Sequence, residues 1–255
     1  AIRLAYKATF MTADKCAEYA PREQDLLIGA MGNWRDVKAF IDSKSGVERE
    51  RAVALLGAIS RKDLHDTSLA VLEDALSSVK PAELTSEYVR YILNPRIASE
   101  FLLPYRTQIR AVLTPAIGEN PLAADIIGWV KENIALCDEY NPISLQATPA
   151  GVLRIRMADK ASRDRFFVAA CRTYGIAARM GGMSGYPQYK SEDKWIDVVL
   201  DGAVAEQEAA KGAIRTIYDP KIVPAIPTPN YYSHCSICRI ENGQCRTIRF
   251  DVDME

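Results

Sequence analysis

The sequence predicts an α+β protein with a helical N-terminal region, a mixed core that carries a small antiparallel sheet, and a C-terminal β hairpin. Apolar residues recur at helical spacing through roughly the first 115 residues, which indicates amphipathic helices. Short runs rich in β-branched and aromatic residues follow Gly175 and are bounded by turn residues, as is typical of strands. Asn242-Gly243 separates two more such runs and is a strong hairpin signal. We expect domains at residues 1–118, 119–202 and 203–255.

Composition argues against several classes of partner. The chain has 255 residues and a formal net charge of -1, so nothing favours binding to nucleic acid or to an anionic membrane. No apolar run approaches the ~20 residues that a membrane helix needs, and we expect no membrane span. The chain starts with Ala1 rather than methionine, which favours an excised or mature form. A missing targeting segment therefore says little about compartment.

The N-terminal region is predicted to be helical from its periodicity and its prolines. Pro21 fits the first turn of a helix, because the N–H that proline lacks would be unpaired there anyway. Pro81 ends the predicted helix at residues 66–79, since proline cannot continue a helix interior. The first predicted helix starts at Pro21, and the others span Val47–Ile59, Asp66–Val79, Ser86–Leu93 and Tyr105–Leu113.

Two helices are predicted in the central part of the chain. Asn120 and Pro121 fit the cap and first residue of a helix that runs to Leu136. The second helix begins at Ser162, whose hydroxyl can accept an orphan N–H, and ends before Gly175, which tolerates a left-handed conformation. The apolar stripe of this second helix consists of Phe166, Phe167, Ala170, Cys171 and Tyr174.

The remaining segments are predicted as loops and strands. Residues 141–156 contain two prolines and a glycine and are expected to be irregular. A strand starts at Ile176, and residues 188–190 and 195–200 form a hairpin around a turn at 191–194. Residues 213–218 are another predicted strand, and the prolines between 220 and 229 predict an extended link. The C-terminal hairpin pairs residues 231–240 with 245–250.

The segment that joins the second central helix to its strand carries a family motif. It reads Arg172-Thr173-Tyr174-Gly175-Ile176-Ala177-Ala178-Arg179. This resembles the signature of the transglutaminase-like superfamily, which has a papain-like fold, with Ala177 in place of a proline. The resemblance implies a nucleophilic cysteine at the start of the helix, a histidine on a neighbouring strand and an acid that orients the histidine.

The catalytic residue types of that family are missing here. The cysteine position falls on Lys160, within Asp159 to Ser162, and the chain's histidines are His65 and His234. The histidine position falls near Gln188 or Tyr189, and the acid position falls at Asp197. The remnant-site positions are therefore Asp159, Ser162, Tyr189 and Asp197.

The resemblance thus indicates a degenerate bacterial member of the superfamily that binds a ligand in a remnant cleft without catalysis. Residues 141–156 are then the expected cleft wall. The alternative is an active amide hydrolase or acyltransferase, of the protease or transglutaminase class, with an atypical nucleophile such as Ser162. The kind of bacterial protein that this chain resembles favours an extracytoplasmic location.

Aromatic and basic side chains near the expected cleft are candidates for ligand binding. Aromatic rings can stack on a ligand, and arginine can grip a carboxylate. The candidate residues are Tyr186, Tyr189, Trp195 and Arg156. The other interpretation is that they are ordinary strand aromatics and a solvated charged loop. We expect a peptide, protein or glycan partner and no cofactor.

The cysteines support a further interpretation. Cys171 lies in mid-helix on the apolar stripe and Cys137 precedes two acidic residues, so both are predicted to be structural. The C-terminal hairpin carries residue types that bind zinc, namely His234, Cys235, Cys238 and Cys245.

The predicted hairpin register argues against a site that uses all of these residues. With Asn242-Gly243 as the turn, Ile240 lies opposite Cys245, so Cys238 and Cys245 share a face while Cys235 points to the other. Zinc, a disulfide and half-buried packing all stay open, and we assign no metal ligands. A zinc-stapled interaction module built on this hairpin is the third functional hypothesis.

Overall fold

The computed structural model describes residues 10–141, 145–182, 184–201, 237–241 and 244–248. Helices and small sheets are both present, which confirms the predicted α+β class. The chain divides into two compact units. The first consists of Ala1–Met180 with Tyr186–Asp201, and the second consists of Gly181–Gly185 with Gly202–Glu255.

The N-terminal part of the first unit is helical, as predicted. Its helices are α1 (Pro21–Gly29), α2 (Trp34–Asp42), α3 (Gly46–Ala58), α4 (Arg61–Asp66) and α5 (Leu69–Ser77). Their apolar faces form a first hydrophobic cluster in which Leu27, Phe40, Leu55 and Leu72 are fully buried. The separate helices α2 and α4 were not predicted. Ser60 starts α4, because its hydroxyl accepts the backbone N–H of Asp63 at 3.0 Å.

The predicted helix at residues 86–93 is a composite element. A single α-turn at Ser86–Tyr88 continues directly into a π-helical turn at Val89–Leu93. The backbone N–H of Asn94 bonds to the Val89 carbonyl at 3.0 Å, five residues back. Such π-turns are rare and occur frequently at functional sites.

A second hydrophobic cluster is built around one central helix. The helices are α6 (Arg106–Ile117), α7 (Ala123–Asn133), α8 (Pro149–Ile155) and the central α9 (Lys160–Thr173). The short strands β1 (Ala135–Leu136) and β2 (Met157–Ala158) pair in parallel. Phe166, Phe167 and Cys171 on α9 are fully buried in this cluster. Val168 and Ala169, which lie outside the predicted stripe, are also fully buried, so α9 packs on more than one side.

Predictions for two segments of this region were wrong. The helix predicted to run to Leu136 ends at Asn133, and Leu136 lies in β1. The α7 helix begins at Ala123 instead of Pro121, because the Asp125 side chain accepts the backbone N–H of Leu122 at 2.8 Å and fixes the start there. Residues 141–156 are not irregular throughout, since they contain α8. Thr148 caps α8 by accepting the N–H of Gly151, and Pro149 occupies its first position.

The ends of α9 are set by local hydrogen bonds. Its cap is Asp159, not Ser162 as predicted, and the Asp159 carboxylate accepts the backbone N–H of Ser162 at 3.0 Å. The predicted end is confirmed, with Gly175 at φ 80°. The N–H of Gly175 bonds to the Arg172 carbonyl at 3.2 Å and that of Ile176 to the Cys171 carbonyl at 2.9 Å, which is a Schellman motif.

A three-stranded antiparallel sheet follows α9, in the order β3 (Ala178–Met180), β4 (Pro187–Ser191) and β5 (Lys194–Asp197). The predicted hairpin is confirmed, although β5 ends at Asp197 rather than Leu200, and β3 starts at Ala178 rather than at Ile176. Tyr189 lies opposite Ala178 and Ile196, and Gln188 lies opposite Arg179 and Asp197. Ala178 and Tyr189 belong to the inner face, which packs against the second cluster. We call the opposite side, with Arg179, Gln188, Lys190, Trp195 and Asp197, the outer face.

The second unit contains the C-terminal hairpin, formed by β6 (Ile237–Glu241) and β7 (Gln244–Ile248). Ile240 lies opposite Cys245, which confirms the predicted register. The turn residues Asn242-Gly243, the zinc candidates His234 and Cys235, the predicted strand 213–218 and the proline link lie outside the described residues.

Candidate ligand-binding face

Ser162 lies inside the first turn of α9, where its hydroxyl is fully engaged. Its side chain is buried, with the residue 1% exposed. The Oγ atom accepts the backbone N–H of Ala147 at 3.1 Å, lies 3.5 Å from Nη1 of Arg165, and is hydrogen-bonded to the Asp159 carboxylate. None of these partners is an imidazole. The hydroxyl therefore ties the loop before α8 to α9 and has the surroundings of a structural group.

Asp159 is a hydrogen-bond acceptor that stays ionised. Burial favours its protonated form, yet hydrogen bonds from Ser162 and Asn141 and the charge of Arg165 together hold the pKa of this carboxyl below its usual value. The Asn141 amide donates to Oδ2 at 2.9 Å. A carboxylate with a lowered pKa is a poor proton acceptor, so Asp159 is badly suited to act as a general base.

Lys160 occupies the position at which the transglutaminase-like motif would place the nucleophile. Its backbone N–H donates to Oδ1 of Asp138 at 2.6 Å. Its ammonium lies 2.8 Å from Oδ2 of Asp164 and 5.2 Å from the centre of the Tyr186 ring. An ion-paired ammonium carries no free electron pair, so this side chain cannot attack a carbonyl in this arrangement.

The structure does not gather the sequence candidates into one cluster. Tyr189 packs on the inner face of the sheet, and Asp197 lies on the outer face. Tyr186 lies beside Lys160 at the start of α9. Arg156 follows α8 in a left-handed conformation, with φ 63°, and its guanidinium lies 4.7 Å from the ring centre of Trp129. Trp195 is the candidate that lies in a group of aromatic and basic side chains.

That group is on the outer face. The guanidinium of Arg179 lies 4.1 Å from the centre of the half-buried Trp195 ring. The Tyr91 ring meets Trp195 edge-on, with ring centres 4.9 Å apart and an angle of 73° between the planes. Tyr91 belongs to the π-helical turn and is itself 5.7 Å from the Arg179 guanidinium. Both aromatic contacts have favourable geometries.

A row of hydrogen bonds crosses the sheet beside these rings. The Nε of Arg179 donates to Oε1 of Gln188 at 2.8 Å, and the Gln188 amide donates to Oδ1 of Asp197 at 2.6 Å. At the same face, the Lys190 ammonium pairs with Glu87, just before the π-helical turn. The outer face is thus ordered by polar contacts that run from β3 to β5.

Sequence reasoning missed Tyr91, Arg179 and Gln188 as members of this group. Strand alternation alone places Gln188 beside Trp195 and Asp197, so this part of the face was available from the sequence. Tyr91 could not be found in that way, because it belongs to a helical segment about 100 residues earlier in the chain.

The described residues also form a pocket of about 250 Å³ elsewhere. It lies between the start of α6 and helix α8, and its lining residues are Leu103, Pro104, Gln108, Thr148, Ala150, Gly151 and Arg154. Four of these lining residues belong to the segment 141–156. None of the remnant-site or ligand candidates contributes to it.

Within the described ranges, no group of three or more His, Cys, Asp or Glu side chains could hold a metal ion. No helix there is long and apolar enough to cross a membrane. Because His234 and Cys235 lie outside these ranges, the zinc hypothesis stays a prediction.

No family model, curated protein or solved structure matches this chain. The resemblance to the transglutaminase-like superfamily therefore depends on the motif from Arg172 to Arg179 and stays a hypothesis.

Proposed function

We propose that this chain is a non-catalytic binding protein with a transglutaminase-like fold, and that the outer face of its small sheet binds a peptide or protein segment. The observation that carries the proposal is the group in which Arg179 stacks on Trp195 and Tyr91 packs edge-on against the same ring. Tryptophan, tyrosine and arginine are the residues that most often dominate binding free energies at protein interfaces. The π-helical turn that presents Tyr91 adds support, because such turns are frequent at functional sites.

The surroundings of the remnant positions favour binding over catalysis. The Ser162 hydroxyl is buried and hydrogen-bonded, and the Lys160 ammonium is paired with Asp164. An acyl-transfer site needs an accessible nucleophile with a base in hydrogen-bond reach. Neither residue meets that requirement, so the hypothesis of an amide hydrolase with a Ser162 nucleophile has less support.

The contact between the Arg179 guanidinium and the Trp195 ring favours a peptide ligand over a glycan. The Arg179 guanidinium lies over the ring at 4.1 Å, so one aromatic face is already covered. Stacking of a sugar would need that flat face, whereas the polar edge of a stacked arginine suits backbone carbonyls and side-chain carboxylates.

The proposal is tested by probing peptide and glycan arrays with the whole protein and two variants. Trp195→Ala removes the proposed anchor. Trp34→Ala is the matched control, because Trp34 is also half-buried and has a guanidinium, that of Arg35, 4.7 Å from its ring centre. We expect Trp195→Ala to weaken the affinity for the bound peptides at least tenfold and Trp34→Ala to leave that affinity unchanged. Circular dichroism should show that both variants are folded.

Other outcomes would overturn the proposal. Binding to glycans alone, equal binding by the two variants, or binding to no array at all would each contradict a peptide site on the outer face. Catalysis is tested separately with amide hydrolysis and transamidation assays. An activity that Ser162→Ala or thiol alkylation abolishes would show that the protein is an enzyme.

A further inference from the structure

We infer that the group recognised by Arg179 is a carboxylate of the bound peptide, an inference that rests on the proposed function and names its ligand chemistry. Arg179 differs from several other arginines in its choice of partner. Arg49 pairs with Glu23, Arg96 with Asp63 and Arg163 with Asp201. Among the described residues, Arg179 meets a neutral amide instead, that of Gln188.

The hydrogen bond to Gln188 leaves the binding edge of the guanidinium open. It uses the Nε atom, and no acceptor in the described ranges contacts the two Nη nitrogens of Arg179. Two parallel N–H groups on a planar guanidinium match the two oxygens of a carboxylate, and such bidentate pairs are among the strong hydrogen bonds of proteins. The N–H groups of the two Nη nitrogens can therefore donate to the carboxylate of an acidic side chain or of a peptide C-terminus.

The guanidinium is also held in a fixed orientation before any ligand arrives. The Trp195 ring lies 4.1 Å from it on one side, and Gln188 fixes its Nε at 2.8 Å. Gln188 is oriented in turn by Asp197 at 2.6 Å. Because the side chain is already ordered, binding loses less conformational entropy. Gln188 is thus a positioning residue that acts through Arg179.

The presence of one arginine in this group supports a carboxylate ligand over a phosphorylated one. Of the carboxylates near the same face, Glu87 pairs with Lys190 and Asp197 accepts a hydrogen bond from the Gln188 amide. Phosphopeptide sites usually combine several arginines, whereas one guanidinium is enough for a bidentate carboxylate. The geometry therefore fits a singly charged carboxylate.

The experiment measures Kd by fluorescence anisotropy for matched labelled peptides taken from the array. Each Asp or Glu peptide is compared with its Asn or Gln counterpart and with a phosphoserine version. The protein variants are Arg179→Gln, Arg179→Lys, Gln188→Leu and the control Arg35→Gln, whose guanidinium also stacks on a tryptophan. All are made in the full chain and checked for folding.

We expect wild type to bind the acidic peptide at least tenfold more tightly than the amide peptide. Arg179→Gln should remove this difference, and Arg35→Gln should keep it. Arg179→Lys should keep only part of it, because lysine lacks the planar fork. Gln188→Leu should reduce it without abolishing it, as expected when Arg179 is present but less well oriented.

The results separate this inference from the proposed function. If peptides bind through Trp195 but replacement of the carboxylate leaves Kd unchanged, the proposed function stands and the inference is wrong. Tighter binding of the phosphoserine peptide would also overturn it. If no peptide binds, or if Trp195→Ala behaves like Trp34→Ala, both fail.

Discussion

Asp164 shows how a single carboxylate can make this fold sensitive to pH. It is buried on α9, with Oδ2 2.8 Å from the Lys160 ammonium and Oδ1 without a partner among the described residues. Burial raises the pKa of this carboxyl, and the nearby Asp201 raises it further against the opposing effect of Lys160 and Arg163. The folded state therefore binds the proton more tightly than the unfolded chain.

We predict that Asp164→Asn gains stability relative to wild type as pH rises. Because the pKa of Asp164 is raised in the folded state, its protonated carboxyl contributes to stability below the unfolded pKa, near 3.9. This contribution is lost as pH rises through the folded pKa. Asparagine does not ionise and avoids this loss. Urea unfolding between about pH 3 and pH 7 measures the difference and includes the range in which Asp159 titrates. Asp159→Asn is the control and should show the opposite slope, because the pKa of Asp159 is lowered. Parallel curves for Asp164→Asn and wild type would contradict the prediction.

Thiol reactivity provides a second prediction for individual residues. Burial raises the pKa of Cys171, and burial with nearby Glu18 and Asp14 raises that of Cys16, so both thiols lack thiolate character at neutral pH. Cys238 is exposed. We expect iodoacetamide to label Cys238 within minutes and to leave Cys16 and Cys171 unlabelled until the protein is unfolded. Peptide mass spectrometry reads the labels, and fast labelling of Cys171 would contradict its buried position.

At the level of elements, the end of α9 depends on the backbone conformation of one residue. Gly175 has φ 80°, which residues with a Cβ rarely adopt, and its two neighbouring hydrogen bonds close the Schellman motif. A Cβ at this position would meet no atom within 4 Å. Any cost of substitution therefore comes from backbone strain and not from a clash.

We predict that Gly175→Ala lowers the unfolding free energy by about 1–2 kcal/mol. The matched control is Gly128→Ala in the interior of α7, where a Cβ would also meet nothing within 4 Å. That change should raise stability by about 0.5–1 kcal/mol, because alanine favours the helix. Urea unfolding measures both. A neutral Gly175→Ala would show that the motif does not depend on glycine.

The C-terminal hairpin is the element on which the zinc hypothesis depends. Its register places Cys238 opposite Thr247 and Ile240 opposite Cys245. Because this register argues against a site that uses all the candidate ligands, we expect elemental analysis of the purified protein to find no zinc. One zinc per chain that is lost with Cys238→Ser would instead support an interaction module stapled by metal.

At the level of the whole first unit, two buried arginines connect its two hydrophobic clusters. The guanidinium of Arg172 donates to the carbonyls of Ala178 at 2.8 Å, Asn94 at 2.9 Å and Arg96 at 2.7 Å. Arg106 donates to the carbonyls of Ile92, Leu93 and Arg172. Burial lowers the pKa of Arg172 to about 10, so it still carries its charge at neutral pH. The segment between the clusters is thus held by charge-assisted hydrogen bonds.

We predict that Arg172→Met lowers the unfolding free energy by about 3 kcal/mol, because three buried carbonyls lose their donor. Arg154→Met is the control. Arg154 is exposed, so its replacement should change stability by less than about 0.5 kcal/mol. Denaturant unfolding of both variants tests the difference. Equal unfolding free energies for Arg172→Met and Arg154→Met would contradict the prediction and would mean that other donors satisfy the three carbonyls when Arg172 is replaced.

The sequence by itself determined the features that depend on neighbours in the chain. Helical periodicity found most helices of the first unit, Gly175 marked the end of α9, and the residues around Asn242-Gly243 predicted the hairpin register. These succeeded because spacing, caps and turns act over a few residues. The cap of α9 was missed because Asp159 and Ser162 are both residue types that cap helices. Helix α8 was missed because prolines within residues 141–156 suggested a loop.

Only the tertiary structure decided where a ligand could bind. The sequence proposed Tyr186, Tyr189, Trp195 and Arg156 together, and folding separates them by strand alternation and by different helix neighbours. It brings Trp195 instead to Tyr91, about 100 residues away. Local patterns fix which side of an element is polar, but the partner across a contact depends on how distant elements pack, and that information is spread over the whole chain.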